Sequence, residues 1–272
     1  MDFSEVRTGI FTSVLDEADA VVTVVVGESG CLLVDTGSSP TVGAAIRAGV
    51  LTLTDKPLQA VVLTHAHWDH ALGLAAYTDV ETIGHENLAT DIGCTENVTW
   101  ARRHGVDLTH VALPTTRLGL IAARDLGGVT AEIASYGPAH TRSDLIIAVP
   151  GRGVIIVGDL VESGPPQFDE TSSLDGWVRT LDSLYSLLKD TTVVIPGHGA
   201  PLGPGEIAHF RTGLAGIWDQ AEWAFYRGIP ERELYEYDNL EWPWDRPTAE
   251  AGIAAAYREL ATRPVPVAAP TF

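Results

Sequence analysis

Lysine is nearly absent from this chain: Lys56 and Lys189 are the only two in 272 residues. With 36 acidic residues against 17 basic ones, the formal charge is −19. A surface of that sign repels polyanions, which argues against a nucleic-acid partner. Cysteine is equally scarce. Cys31 and Cys94 stand far apart and neither has a CxxC neighbour, so both are expected to be reduced, structurally ordinary thiols. No stretch reaches the roughly 18 uninterrupted apolar residues of a membrane span. The N-terminal MDFSEVRTGIF has neither a basic start nor a long apolar core, so no signal peptide is read there and a cytoplasmic location is expected. What is present is an ordinary globular composition, 45% hydrophobic, without a low-complexity linker. One domain over 1–272 is expected, with a core over about 1–203 and a helical, aromatic extension over about 204–272.

DAVVTVVVG and CLLVDTG are β-branched, apolar runs joined by GESG at 27–30, a hairpin signal. PTVGAAIRAGV at 40–50 reads as a short helix, and LQAVVLT at 58–64 as a strand buried on both faces. The same order recurs. LIIAVP and GVIIVGD are joined by PGRG, a helical LDGWVRTLDSLYSLLK comes next at 174–189, and then TTVVIPGHG at 191–199. Two related halves are therefore expected, each a sheet with covering helices, packed face to face. From 204 to 228, Ile207, Phe210, Leu214, Ile217, Trp218, Ala221 and Phe225 fall on one helical face. A last helix, TAEAGIAAAYREL, precedes an extended Pro-rich tail.

The chain has nine histidines, and three of them sit in THAHWDH at 64–70. A two-residue period turns His65 and His67 to the same side of a strand end. Asp69 and His70 come next as the chain turns. Imidazole nitrogen and carboxylate oxygen are ligands that Zn²⁺ accepts at about 2.0–2.2 Å. Four such groups crowd one tetrahedral ion, and two ions relax them. Partners must then come from elsewhere, and three strand-end loops offer them: His140 in GPAHTRSD, Asp159 at the end of GVIIVGD and His198 in PGHG. Adjacent glycine lets the backbone turn sharply and approach closely.

HxHxDH, a later histidine, a GD aspartate and GHG, in that order, resemble the metallo-β-lactamase-fold hydrolase superfamily over residues 64–199, and the DTG at 35–37 extends the match upstream. DTG alone is also similar to aspartic proteases, but those need two carboxylates sharing a site, and no second DTG is present. The superfamily resemblance implies an α/β fold, an αββα four-layer sandwich with metals at one edge and, here, extra C-terminal helices. It implies that His65, His67 and His140 hold one metal, that Asp69, His70 and His198 hold a second, and that Asp159 bridges them. Asp35 would lie behind the site and orient a histidine ring, and Asp144 would act similarly. The cofactors expected are two Zn²⁺, with iron or manganese as alternatives at one or both positions.

The implied activity is hydrolysis of a carboxylic (thio)ester or lactone by a metal-bridging hydroxide, with Asp69 steering it and passing a proton to the leaving group. True β-lactamases are expected to carry cysteine or serine at position 159. Aspartate there is similar to glyoxalase II and to the lactonase, thioesterase and phosphodiesterase branches. Glyoxalase II is expected to grip glutathione with basic residues near its C-terminus, and this chain has few. Trp68 and Phe168 are candidate pocket walls, with the C-terminal aromatics, for a small apolar or aromatic acyl substrate. The alternatives are a di-iron or mono-iron redox protein of the same fold, and a β-lactam- or polyketide-directed hydrolase or cyclase. A nuclease is disfavoured by the charge. His104, His110 and His209 read as surface or packing residues, and His85 as a candidate for the site rim. No feature speaks to the oligomeric state.

Overall fold

The computed structural model describes residues 1–237 and 240–263. The Pro-rich tail lies outside the described residues. Seven strands form one sheet in chain order: β1 (Ser4–Arg7), β2 (Ile10–Val14), β3 (Val21–Val26), β4 (Cys31–Val34), β5 (Leu58–Val62), β6 (Glu81–His85) and β7 (Thr116–Leu118). Five form the other: β8 (Ile121–Asp125), β9 (Thr130–Ala134), β10 (Ile146–Val149), β11 (Val154–Gly158) and β12 (Val193–Pro196), ordered β12-β11-β10-β9-β8. Helices α1 (Pro40–Leu53), α2 (Trp68–Ala71), α3 (Leu88–Asp91) and α4 (Thr95–His104) fall within the first half of the chain, and α5 (Leu174–Tyr185), α6 (Pro204–Phe225), α7 (Glu231–Leu234) and α8 (Arg246–Thr262) in the second.

Alternation along each strand sends successive side chains to opposite faces. Leu32 and Val34 of β4 turn toward the second sheet, while Cys31 and Leu33 face outward. Val154 and Ile156 of β11 meet them from the other side, and Ile155 and Val157 face the helices beyond. Ile46 and Val50 of α1 cover the outer face of the first sheet. Trp177 and Leu181 of α5, Ile207, Leu214 and Ile217 of α6, and Ile253 of α8 cover that of the second. The result is the expected αββα order, with an apolar interface between each pair of layers.

The internal repeat is present as topology. Antiparallel β3–β4, helix α1 and parallel β5 make one unit, and antiparallel β10–β11, helix α5 and parallel β12 make the other. Parallel pairing aligns the C-terminal ends of β4 with β5 and of β11 with β12, and the two loop sets meet at one edge of the sandwich. Helix ends differ modestly from the pattern. α5 stops at Tyr185, and the chain then turns so that Thr192 N donates to Lys189 O at 2.8 Å. α6 ends at Phe225, with Gly228 at φ +71° shortly after. Among the described residues, no helix is long and apolar enough to cross a membrane.

Candidate metal centre

The DTG turn sets the positions of the rings that face the metal centre. Asp35 leaves β4 at φ +66°, a left-handed conformation that costs a non-glycine residue energy and needs outside support. The support comes from the loop that follows β5. Thr64 N donates to Asp35 Oδ1 at 2.8 Å, and Thr64 Oγ1 to Asp35 Oδ2 at 2.9 Å. His70 Nδ1 lies 2.9 Å from the same Oδ2. Asp35 thus stands behind the His70 ring.

Those contacts decide which nitrogen of each ring is bare. The Thr64 hydroxyl gives its one proton to Asp35, so His65 Nδ1, 3.0 Å from that oxygen, is the donor to it, and His65 Nε2 carries a lone pair. His70 Nδ1–H donates to Asp35, leaving Nε2 bare. His198 Nδ1–H donates to Ala18 O at 2.8 Å, leaving Nε2 bare. His67 Nε2–H faces Asp169 Oδ2 at 3.1 Å, leaving Nδ1 bare. All four lone pairs converge. His67 Nδ1 is 3.0 Å from His65 Nε2 and 2.9 Å from His140 Nε2, and His70 Nε2 is 3.3 Å from His198 Nε2.

Asp159 lies between the two groups. Its Oδ2 is 3.4 Å from both His65 Nε2 and His198 Nε2 and 3.6 Å from His140 Nε2, while its Oδ1 is 3.3 Å from His70 Nε2. That buried Oδ1 has no hydrogen-bond partner. Asp69 Oδ2 is 3.4 Å from His198 Nε2 and 3.7 Å from His70 Nε2. Ligands about 2.0–2.2 Å from a tetrahedral ion are separated from each other by about 3.3–3.6 Å. Converging lone pairs at nearly that spacing, with an orphaned carboxylate oxygen among them, fit divalent cations. The donors group as His65, His67, His140 and Asp159, and as Asp69, His70 and His198; a third set, His67, Cys94 and Asp169, brings the buried Cys94 thiol beside His67.

The field at the site points the same way. Burial opposes a charge on His70, yet Asp159, Asp69 and Asp35 outweigh it and lift the ring to about 10. Burial likewise opposes His198, whose hydrogen bond and charge attraction to Asp159 lift it to about 9. Burial, reinforced by His67, pushes His140 down to about 3. Burial would raise the Asp159 carboxyl, but His70 and His65 hold it well below the usual carboxylate range. The carboxylates draw positive charge into a dry pocket, a demand that a metal ion meets.

Glycine is indispensable at Gly197 in PGHG: a Cβ there would lie 1.7 Å from Asp159 Oδ1. Trp177, fully buried, anchors the floor; its Nε1 donates to Leu160 O at 2.9 Å and its ring lies 5.2 Å from that of His140. Asp144 departs from expectation. It reaches no histidine ring, because its carboxylate accepts from Thr141 N and Thr141 Oγ1, at 2.9 and 2.7 Å, and so holds the turn after His140. His85 also stands apart, at the end of β6, where its Nδ1 accepts from Asn87 N at 3.1 Å.

Trp68 and Phe168 line one cavity of about 430 Å³ beside His67. Trp100, Glu96 and Asp169 line it too, and no sequence pattern marks any of the three. Asp169, in FDETSS, orients His67; its other oxygen accepts from Thr171 N and Thr171 Oγ1 at 2.6 and 2.7 Å. His104 stacks on Trp100, ring centres 4.4 Å apart, and lines the cavity too. The C-terminal aromatics serve differently: Trp218, Phe225, Trp242 and Trp244 pack into the helical core.

A family model described as "Metallo-beta-lactamase superfamily" matches residues 16–198. The chain belongs to that superfamily. Among superfamily relatives, a linear primary-alkylsulfatase from Pseudomonas sp. (strain ATCC 19151) is 24% identical, over 76% of this chain and 47% of that protein. Metallo-beta-lactamase domain-containing protein 1 from Xenopus laevis is 30% identical over 52% of this chain and 54% of its own length. The chain thus spans about half the length of these relatives. Among solved structures, the stereoselective inverting sec-alkylsulfatase Pisa1 from Pseudomonas sp. superposes with TM-score 0.78 at 20% identity, over 96% of this chain and 50% of that one. A metallo-beta-lactamase from Pontibacter korlensis superposes with TM-score 0.63 at 20% identity, over 79% of this chain and 98% of that one. The superfamily fold therefore holds across both kinds of neighbour.

Proposed function

We propose that this superfamily member is a dinuclear metal-dependent hydrolase of a carboxylic ester, thioester or lactone. The observation that carries the reading is the set of four histidine lone pairs fixed by outer hydrogen bonds and aimed, with Asp159, at one buried volume. Zinc is the metal proposed. His65, His67 and His140 would hold one ion, Asp69, His70 and His198 the other, and Asp159 both. Bound there, such ions supply Lewis acidity and ionise water near neutral pH. The chain supplies the rest. Thr64, Asp169, Asp35 and Ala18 fix the tautomers of His65, His67, His70 and His198, so those four rings need not reorganise during reaction. Asp69 borders the Asp159 side of the cluster through His70 and His198, which suits it to carry a proton toward a leaving group. Trp68, Trp100 and Phe168 provide an apolar wall for the non-reacting part of the substrate.

A second reading, cleavage of an alkyl sulfate ester, is favoured by the alkylsulfatase likeness, which covers 76% of the chain in sequence and 96% in superposition. Zinc-loaded protein assayed on a chromogenic thioester, a lactone, a primary and a secondary alkyl sulfate, nitrocefin and bis-nitrophenyl phosphate separates the two. Turnover confined to the thioester or lactone is expected. Dominant sulfate-ester or nitrocefin turnover would displace the proposal, and redox-active coloured iron in place of zinc would move the protein out of the hydrolase class.

A further inference from the structure

We propose that the cavity beside His67 recognises a cationic substituent, an amine or quaternary ammonium group, carried by the substrate; this rests on the hydrolase reading for its role but not for its chemistry. The cavity adjoins the metal centre through Trp68, next to His67 in the chain, and through Asp169, which holds the His67 ring. A substrate reacting at the metals can therefore extend a non-reacting group into it. Trp68 and Trp100 stack with ring centres 4.8 Å apart and planes 14° apart, and Phe168 faces the same space. Aromatic faces carry negative potential and attract a cation.

Three carboxylates surround these rings: Glu96, Asp169 and Glu170, against one guanidinium, that of Arg103. Their hydrogen bonds come mainly from neutral groups, which leave the charge in place on Asp169 and Glu170, whereas burial raises the Glu96 carboxyl above its ordinary value. Glu96 Oε1 accepts from Trp68 Nε1 at 3.1 Å. Glu170 Oε1 accepts from Thr95 N and Thr95 Oγ1 at 2.6 and 2.8 Å. Asp169 Oδ1 accepts from Thr171, and its Oδ2 faces a His67 ring that is neutral when Nδ1 ligates a metal. His104 covers Trp100 on the side away from Trp68, so a cation entering here exchanges water for the outer surface of Trp68, for Phe168 and for carboxylates. An anion would lose water and gain like charges, and a plain alkyl group would leave the carboxylates uncompensated.

The test is binding to the zinc-loaded full chain, read by calorimetry and by quenching of tryptophan fluorescence. The probes are phenyltrimethylammonium, benzyl alcohol and benzenesulfonate. Phenyltrimethylammonium is expected to bind about tenfold more tightly than benzyl alcohol, the order of a desolvated cation–π contact. Glu170→Gln, on an exposed side chain away from the metal cluster, and Phe168→Leu should each weaken the ammonium probe several-fold and leave benzenesulfonate unchanged. Equal affinity for the ammonium and the alcohol, or an ammonium affinity indifferent to both substitutions, would overturn the proposal. The hydrolase reading is judged apart from it. Ammonium binding without turnover of any ester would sink the hydrolase and leave this site standing; ester turnover without a preference for the cation would do the reverse.

Discussion

Replacing Asp169 with alanine isolates the link between the cavity loop and the metal centre. Asp169 Oδ2 accepts from His67 Nε2 at 3.1 Å, its Oδ1 is pinned by Thr171 N and Ser172 N at 2.6 and 3.2 Å, and its side chain is 7% exposed. Its carbonyl accepts from Arg258 of α8 at 2.5 Å, so the C-terminal helix braces the same loop. In Asp169→Ala the His67 ring loses the acceptor that keeps its proton on Nε2. The proton can then move to Nδ1, into the cluster, where it competes with the ion. Loss of such a partner costs about 10- to 100-fold in metal affinity, or about 1.4–2.7 kcal/mol. Asp169→Asn keeps one oxygen, which Thr171 N, Thr171 Oγ1 and Ser172 N claim; its NH2 then faces His67 Nε2 and drives the ring proton to Nδ1, so asparagine should weaken the ion about as alanine does. Competition against a chromophoric chelator measures both zinc affinities. Weakening confined to one ion is expected in both variants. An alanine variant that binds both ions as the parent does would show that Asp169 does not set the His67 tautomer.

Other perturbations have equally definite outcomes. Gly197→Ala places a methyl group 1.7 Å from Asp159 Oδ1, so the carboxylate must swing away; metal content and turnover should fall together while far-ultraviolet circular dichroism stays native, and a fully active variant would refute the close approach. Trp177→Ala empties a fully buried site and should cost about 3–5 kcal/mol by denaturant unfolding. Stability of the metal-free protein should fall as pH rises from 6.5, the ordinary histidine value, toward 9–10. His70 and His198, raised to about 10 and about 9, contribute fully below pH 6.5 and lose that contribution as pH climbs toward 9–10; His140, lowered to about 3, loses its contribution as pH drops from 6.5 toward 3. Denaturant midpoints in chelator across pH 4–10 check this, and a metal-free protein that grew more stable between pH 7 and 9 would contradict it.

Much of the architecture is legible in the chain because its signals are local and strong. β3, β4, β5, β10 and β11 are apolar runs with turn residues between them, and α6 repeats Ile207, Phe210, Leu214, Ile217 on one face. The recurring order of hairpin, helix and strand already implies two halves. β6 to β9 are not legible: they are short, and β8 and β9 alternate exposed and covered residues of mixed polarity, so periodicity is faint. At the site, the residues that converge have spacing or glycine neighbours to mark them. Asp169, Glu96 and Trp100 have none, since their part depends on a loop and α4 meeting across His67, a contact that exists only in three dimensions. Asp144 misleads for the same reason: nearness to His140 in sequence does not decide whether a carboxylate turns toward the ring or caps Thr141. The C-terminal aromatics carry no positional signal to separate core from pocket.

Zinc counting by mass spectrometry, on protein incubated with zinc and then dialysed exhaustively, bears most directly on the pair of ions proposed between these loops. About two zinc ions per chain are expected, falling to one or none in Asp159→Asn. A parent chain that retains no zinc, or an Asp159→Asn chain that retains both ions, would contradict the dinuclear centre.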